Sequence, residues 1–213
     1  MLCVPEHTRI CLFNDDAVVL NLMKDEFFVV EHGADLFRSS PQHLQALSVL
    51  NEALSVRAVP DLQADNENGY FEIRWMMPDF PRQRLNALIR LAFFLKMKRL
   101  LRKVDCNGLA GMTRELSLLR KQKDLKDVIP PEKVTHKMNN LISRVMQYNK
   151  DNNPCLVYSF MMTYSLIERG YDASLIVGVR TEPFYSHAWV EVGGNVAGDD
   201  PFLRNKLSVI LEV

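Results

Sequence analysis

The chain has few cysteines, and none of them forms a metal-binding pair. The four cysteines have no CxxC spacing and lie far apart in the sequence, at Cys3, Cys11, Cys106 and Cys155. This scatter argues against a zinc site, and a chain of 213 residues does not suggest a small disulfide-stapled scaffold. We therefore expect no metal, no other cofactor and reduced thiols.

The chain also lacks a secretion signal and a membrane span. Its first residues, "MLCVPEHTR", do not place basic residues ahead of an apolar run. The most apolar stretch, "LNALIRLAFFLKM", is too short to cross a bilayer and contains Arg90. Together with the reduced thiols, these features predict a soluble cytoplasmic protein.

Net charge is absent as well. The chain has 26 Lys and Arg against 26 Asp and Glu, so its formal charge is zero, and we expect no nucleic-acid partner. Residues 82–103 nevertheless carry no acidic residue and eight basic ones: Arg82, Arg84, Arg90, Lys96, Lys98, Arg99, Arg102 and Lys103. This basic segment would suit an anionic membrane surface or an acidic partner, or it forms a solvated helix face.

The first third of the sequence predicts strands followed by short helices. Apolar, β-branched runs at 8–13, 17–22 and 27–30 are separated by polar turn residues. Three strands followed by helices predict a small α+β unit of winged-helix type over residues 1–60. The polar, proline-containing stretch 61–81 predicts a linker.

Residues 82–213 are predicted to form a second domain, with a helical part at 82–149 and a catalytic core at 150–213. Its first helix has an apolar face of Leu85, Leu88, Ile89, Ala92 and Leu95. In the core, a helix beginning at Cys155 stops at Gly170 and precedes four strands, at 173–180, 186–192, 195–200 and 207–213. The whole chain is therefore predicted to be α+β, with one core helix packed on an antiparallel sheet.

Cys155 lies where a helix is expected to begin. Asn153 is a good N-cap residue and Pro154 suits the first helical position, which makes Cys155 the second. The positive end of a helix dipole stabilises a thiolate and can lower a cysteine pKa to about 3.5–7.5. A lone cysteine is more often an inert apolar side chain, so further residues must decide.

Two later residues supply the other parts of a thiol catalyst. His187 lies on one predicted strand and Asp199 on the next, one hairpin further along the chain. A cysteine, a histidine and an aspartate on these elements correspond to the nucleophile, base and orienting acid of acyl transfer. We therefore predict Cys155, His187 and Asp199 as the catalytic residues. Tyr185 and Trp189 would line the cleft, although a buried tryptophan is more often a core residue.

The stretches "NPCLVYS", "GVRTEPFYSHAWVEVGG" and "NVAGDDP" resemble the transglutaminase-like cysteine peptidases of lasso-peptide maturation. The resemblance is to the fused B proteins of microcin-type proteobacterial systems, and it is specific over about residues 150–213. It implies a papain/transglutaminase-like C-terminal domain in which Cys155, His187 and Asp199 cleave a ribosomal precursor peptide.

The same resemblance implies two partners. An N-terminal domain would bind the precursor's leader as an added strand, at the edge formed by Phe27, Phe28, Val29 and Val30. The peptide freed by cleavage would pass to an ATP-dependent, asparagine-synthetase-like cyclase, for which the basic segment 82–103 would be one docking face.

Three other functions remain open from the sequence. A non-catalytic adaptor or chaperone would bind the leader and deliver the precursor without cutting it. A transglutaminase would use the same three residues to transfer the acyl group to an amine. A thiol-dependent acetyltransferase also uses such a triad, but nothing in the sequence resembles a pantetheine or arylamine site.

Overall fold

The computed structural model describes residues 7–34, 84–105, 107–149 and 153–213. It confirms the α+β class, with strands at the N-terminus, helices in the middle, and a helix and an antiparallel sheet at the C-terminus. The stretch 35–60, where the N-terminal domain was predicted to be helical, lies outside the described residues, as do the linker at 61–81, Cys3 and Cys106.

The described residues belong to two compact units. The first unit contains 7–34, 176–187 and 202–213. The second contains the described part of 70–175 together with 188–201. The boundary falls inside two strands, between Leu175 and Ile176 and between His187 and Ala188.

The N-terminal strands form one antiparallel sheet. Strands β1 (Thr8–Phe13), β2 (Asp16–Asn21) and β3 (Glu26–Val30) occur in the order β1-β2-β3, and each agrees with its predicted strand to within one residue. Asn14, in the two-residue turn between β1 and β2, has a φ of 53°, a left-handed conformation that asparagine tolerates well. This order makes β3 an edge strand of the sheet that the structure describes.

The central and edge strands of this sheet differ sharply in burial. In β2, Ala17, Val18 and Leu20 are completely buried. In β3, Phe28, Val29 and Val30 are exposed although all three are apolar. Exposed apolar residues on an edge strand are a feature of surfaces that receive another chain.

Four helices form most of the second unit: α1 (Ala87–Asp105), α2 (Gly108–Lys121), α3 (Glu132–Met146) and α4 (Pro154–Ile167). Helix α1 contacts α2 and α3, and helix α4 contacts α2 and α3. Ten of the fourteen residues of α4 are buried, so it is the central helix of this unit. It ends before Gly170, whose φ of +84° gives the predicted left-handed stop.

The predicted apolar face of α1 is not its buried face. Leu88, Ile89 and Leu95 are exposed, while the buried row is Phe93, Met97, Leu100 and Val104. Apolar residues lie on every side of the N-terminal half of this helix, so periodicity there does not identify the face that packs. The contacts with α2 and α3 determine which row of residues is buried.

The C-terminal sheet has the order β6-β5-β4-β7. Its strands are β4 (Ala173–Arg180), β5 (Tyr185–Val192), β6 (Asn195–Val196) and β7 (Ser208–Glu212), and a short helix, α5 (Leu203–Lys206), precedes β7. Strand β4 pairs antiparallel with β7, and β5 pairs antiparallel with β6.

The predicted strand at 195–200 was too long. Strand β6 ends at Val196, and the chain bends through the following residues, where Gly198 has a φ of 80°. A positive φ is incompatible with a continuing strand. Asp199 therefore lies in a loop after β6, and the prediction that it stands on a strand was wrong.

Candidate active site

Helix α4 begins where the sequence predicted, with Asn153 at the N-cap, Pro154 first and Cys155 second. The Asn153 side chain makes no capping hydrogen bond within the described residues. The first N–H groups of an α-helix lie outside its own hydrogen-bond ladder and concentrate positive charge. Cys155, a partly exposed reduced thiol, therefore lies at an end of the helix that favours a thiolate.

A buried hydrogen bond joins α4 to strand β5 one helical turn after Cys155. The Ser159 hydroxyl donates to the Ala188 carbonyl oxygen across 2.9 Å, and both residues are buried. Residues four apart lie on the same face of a helix, so Ser159 and Cys155 share one face of α4. This bond fixes the backbone of β5 against the Cys155 face of the helix at the residue that follows His187.

Tyr158, on the same helix, is bonded to α3 and lies within the electrostatic influence of Asp199. Its hydroxyl donates to the Asn139 side-chain oxygen across 2.9 Å, in the buried space between α3 and α4. Burial, and then the negative charge of Asp199, raise the pKa of Tyr158 above its ordinary value. The charge of Asp199 thus acts on Tyr158, which lies three residues after Cys155. The Asp199 carboxylate itself accepts the Asp200 N–H.

A cavity of about 310 Å³ opens on this side of α4. Its walls come from the start of α3, from α4 and from the loop that leads to Asp199, and they include Glu132, Thr135, His136, Tyr158, Met162 and Gly198. The lining combines apolar side chains with a few polar ones, as is usual for sites that bind small groups. The described residues that line it include neighbours of Cys155 and Asp199 in the chain, but none of the three predicted catalytic residues.

His187 is the third residue of β5 and is 3% exposed. The ring of Tyr185 stacks on its imidazole, with the ring centroids 6.2 Å apart and the planes 28° from parallel. The two side chains project from the same face of the strand because they are two residues apart. Tyr185 thus contacts His187, whereas Trp189 is buried in the core and donates its indole N–H to Glu191.

Comparisons with known proteins agree with these features. Residues 95–212 match the model of a family described as the transglutaminase-like superfamily. The chain is 30% identical over 210 residues to the microcin J25-processing protein McjB of Escherichia coli, which covers 96% of this chain and 99% of that protein. The chain belongs to the transglutaminase-like superfamily. No solved structure matches it significantly.

The matched region of this transglutaminase-like protein contains all three predicted catalytic residues. Cys155 and Asp199 lie in the second unit, and His187 lies in the first. The match to McjB confirms the resemblance to lasso-peptide maturation B proteins. The catalytic assignment of Cys155, His187 and Asp199 stays a prediction.

The predicted leader-binding residues of this transglutaminase-like protein lie together on β3. Phe28, Val29 and Val30 are exposed, and Phe27 is partly buried. The ring of Phe27 contacts that of Phe184, with centroids 5.6 Å apart. Their role in leader binding also stays a prediction.

Several cations of the basic segment are already paired within the second unit. Lys96 pairs with Glu168, Lys103 with Glu115 at 2.7 Å, and Lys98 donates to the Tyr148 carbonyl oxygen. These contacts reduce the charge that α1 offers to a membrane or an acidic partner. No helix among the described residues is long and apolar enough to cross a membrane, and no described His, Cys, Asp and Glu side chains cluster to hold a metal.

Sequence reasoning missed Tyr158, Ser159 and Asn139 of this transglutaminase-like protein. Ser159 carries a weak signal, because it is a polar residue four positions after Cys155 in a strongly apolar helix. Tyr158 and Asn139 are hydrogen-bond partners on two different helices, α4 and α3. Only the packing of α3 on α4 reveals that contact.

Proposed function

We propose that the protein is a leader peptidase of lasso-peptide maturation. It binds the leader of a ribosomal precursor peptide and cleaves the bond between leader and core, with Cys155, His187 and Asp199 as its triad. The similarity to a protein named for processing microcin J25 supports this proposal. So does membership of the transglutaminase-like superfamily, which includes cysteine peptidases.

The observation that carries the proposal is the Ser159–Ala188 hydrogen bond behind Cys155. Thiol catalysis requires the base to reach the nucleophile with a defined orientation. Ala188 directly follows His187, and Ser159 lies one turn from Cys155 on the same helix face. Within the second unit, this bond holds the β5 backbone at Ala188 to the helix that carries the proposed nucleophile.

In the first half of the reaction, the Cys155 thiolate attacks the carbonyl carbon at the junction. The carbonyl oxygen becomes an oxyanion, and the Cys155 backbone N–H is the proposed donor to it; losing one such donor costs about 10²–10³ in rate. The C–N bond then breaks, and the protonated His187 gives its proton to the departing amine. The core peptide leaves with a free N-terminus, and the leader remains as a thioester.

In the second half, a water molecule attacks the thioester carbonyl while His187 accepts its proton. The C–S bond breaks and regenerates the thiolate, and the leader leaves with a new carboxylate. Asp199 orients the imidazole through both halves. The freed amine of the core is the nucleophile that an ATP-dependent macrolactam-forming cyclase would use next.

Leader binding is proposed to occur at β3, within a recognition domain of residues 1–60 joined by the linker 61–81 to the peptidase domain of 82–213. An extended peptide can pair with an edge strand through backbone hydrogen bonds while apolar side chains provide selectivity. The exposed Phe28, Val29 and Val30 supply that apolar surface. These reactions are proposed to occur in the cytoplasm.

The test uses the cognate lasso-peptide precursor, with leader and core joined in one chain. We expect Cys155→Ala to abolish cleavage, measured by mass spectrometry, while the affinity for a fluorescent leader peptide is unchanged. Cys11→Ala is the matched control, because it removes a thiol from β1 in the N-terminal sheet and should leave cleavage intact. Cleavage at the wild-type rate by Cys155→Ala would overturn the peptidase proposal.

A non-catalytic adaptor is the alternative that shares the leader-binding surface. The exposed edge of β3 suits an adaptor equally well, so the discriminating result is the appearance of product. Transfer to an amine is separated from hydrolysis by product mass, because hydrolysis adds the mass of one water to the leader. An adaptor would bind the precursor and return it uncut.

A further inference from the structure

A line of aromatic contacts in the first unit runs from the edge strand to His187. Phe27 on β3 contacts Phe184, with ring centroids 5.6 Å apart and planes tilted by 57°. Phe184 ends the loop between β4 and β5, and its chain neighbour Tyr185 begins β5. The Tyr185 ring then stacks on the His187 imidazole. Each step is a ring contact or a covalent connection.

The contact between Phe27 and Phe184 joins a partly buried ring to an exposed one. Phe27 lies on the sheet face that also carries Leu20, its cross-strand partner, which is completely buried. Phe184 is 47% exposed, so its ring lies at the surface, where it contacts the ring of Phe27. An exposed aromatic ring held by an edge strand is sensitive to the order of that strand.

Leader binding would change the order of β3. An edge strand pairs on one side only and opens locally at lower free-energy cost than a central strand. A leader peptide added at its open edge would place β3 between two strands and would suppress that opening. Phe27 would then be held more firmly against Phe184.

We propose that Phe184 is a positioning residue that couples leader occupancy of β3 to the placement of His187. This inference rests on the proposed leader-peptidase function. When the leader is bound, the ordered β3 supports Phe184 through Phe27, and the start of β5 keeps Tyr185 and His187 in the orientation that catalysis requires. Without the leader, the same loop is less firmly held.

The expected size of the effect follows from the ring contact. Aromatic pairs contribute about 0.5–1.5 kcal/mol beyond their buried area, which corresponds to a factor of about 2 to 10 in an equilibrium or a rate. Removing the Phe184 ring should therefore reduce the stimulation by leader by about 2- to 10-fold. The effect should fall on kcat, because Phe184 lies outside β3 and contributes no backbone to the proposed leader edge.

The experiment separates leader from scissile bond. The substrate is a short synthetic peptide that spans the leader–core junction, and the rest of the leader is added as a separate peptide. Full-length wild type, Phe184→Ala, Phe184→Tyr and Phe202→Ala are compared, each with and without the leader peptide, and leader affinity is measured by fluorescence anisotropy. Phe202 is the matched control, since it is an exposed phenylalanine of the same unit.

We expect the leader peptide to raise kcat for wild type, Phe184→Tyr and Phe202→Ala. Without leader, Phe184→Ala should cleave the short peptide at the leader-free rate of wild type. At saturating leader, its stimulation should be about 2- to 10-fold smaller than that of wild type. Its leader affinity should fall by no more than the same factor, because the ring contact favours the ordered β3 to which the leader binds. Restoration by tyrosine, which keeps the ring, distinguishes coupling from a general loss of structure.

Two results would overturn the coupling and leave the peptidase intact. One is wild type that cleaves the joined precursor but is not stimulated by separate leader. The other is Phe184→Ala that is stimulated as strongly as wild type. Failure of wild type to cleave even the joined precursor would instead reject the proposed function, and with it this inference.

Discussion

The Ser159–Ala188 hydrogen bond gives the sharpest test of how α4 and β5 are held together. We expect Ser159→Ala to lower the free energy of unfolding by about 1 kcal/mol, the net value of a typical buried hydrogen bond. If losing this bond also raises the activation free energy of cleavage by about 1 kcal/mol, because β5 is held less firmly, kcat should fall about 5-fold. KM should change little, because Ser159 is buried and its hydroxyl is bonded to the Ala188 carbonyl oxygen.

Thr163→Val is the matched control for this prediction. Thr163 lies one turn beyond Ser159 on the same row of α4 and is completely buried. Its hydroxyl makes no hydrogen bond within the part of the chain that the structure describes. A buried hydroxyl without a partner is unfavourable, so its replacement by an apolar group of the same shape should leave stability unchanged or raise it by up to about 1 kcal/mol. The kcat should not change.

Urea unfolding followed by circular dichroism gives the stability of both variants, provided that their m-values agree with that of wild type. Cleavage at saturating precursor, followed by mass spectrometry, gives kcat. Wild-type stability and wild-type kcat in Ser159→Ala would refute the argument that this bond holds the helix and strand in register. An equal loss of stability in Thr163→Val would show that the effect belongs to helix packing and not to the bond.

Two further predictions concern ionisation. Desolvation raises the pKa of the Cys11 thiol to about 12. In a Cys3→Ser, Cys106→Ser background, a thiol reagent at pH 8 should therefore label Cys155 and leave Cys11 unmodified. Equal labelling rates of the two thiols would contradict this prediction. Because the pKa of Tyr158 is raised, the folded state keeps a phenolic proton that the unfolded state releases above about pH 10. The contribution of this group to the free energy of unfolding is therefore fully present below that pH and is lost as the pH rises. The stability lost between pH 9 and 11 should be smaller in Tyr158→Phe, and an identical loss in urea unfolding would be evidence against the shift.

Local features of the sequence were enough to predict most element bounds. The strand at 173–180 agrees residue for residue with β4, since a mostly apolar run follows Asp172 and ends at Arg180. The start of α4 follows from Asn153 and Pro154, whose backbone preferences act within one turn. These preferences act over a few residues, so they predict local structure without knowledge of the rest of the chain.

Features that depend on distant partners could not be predicted in the same way. The buried row of α1 was predicted wrongly because apolar residues surround that helix, and its contacts with α2 and α3 decide which row packs. Asp199 was placed on a strand because Gly198 can continue a strand or break it, and only its conformation in the fold resolves the choice.

The sequence by itself determined the identity and order of the chemical groups: a cysteine at a helix start, then a histidine, then an aspartate. Tertiary structure decided which side chains support them, since the partners of Ser159, Tyr158 and Phe184 come from elements 19 to 157 residues away along the chain. The physical reason is that propensities and caps act over a few residues, whereas hydrogen bonds and ring contacts act over a few ångströms, regardless of separation in sequence.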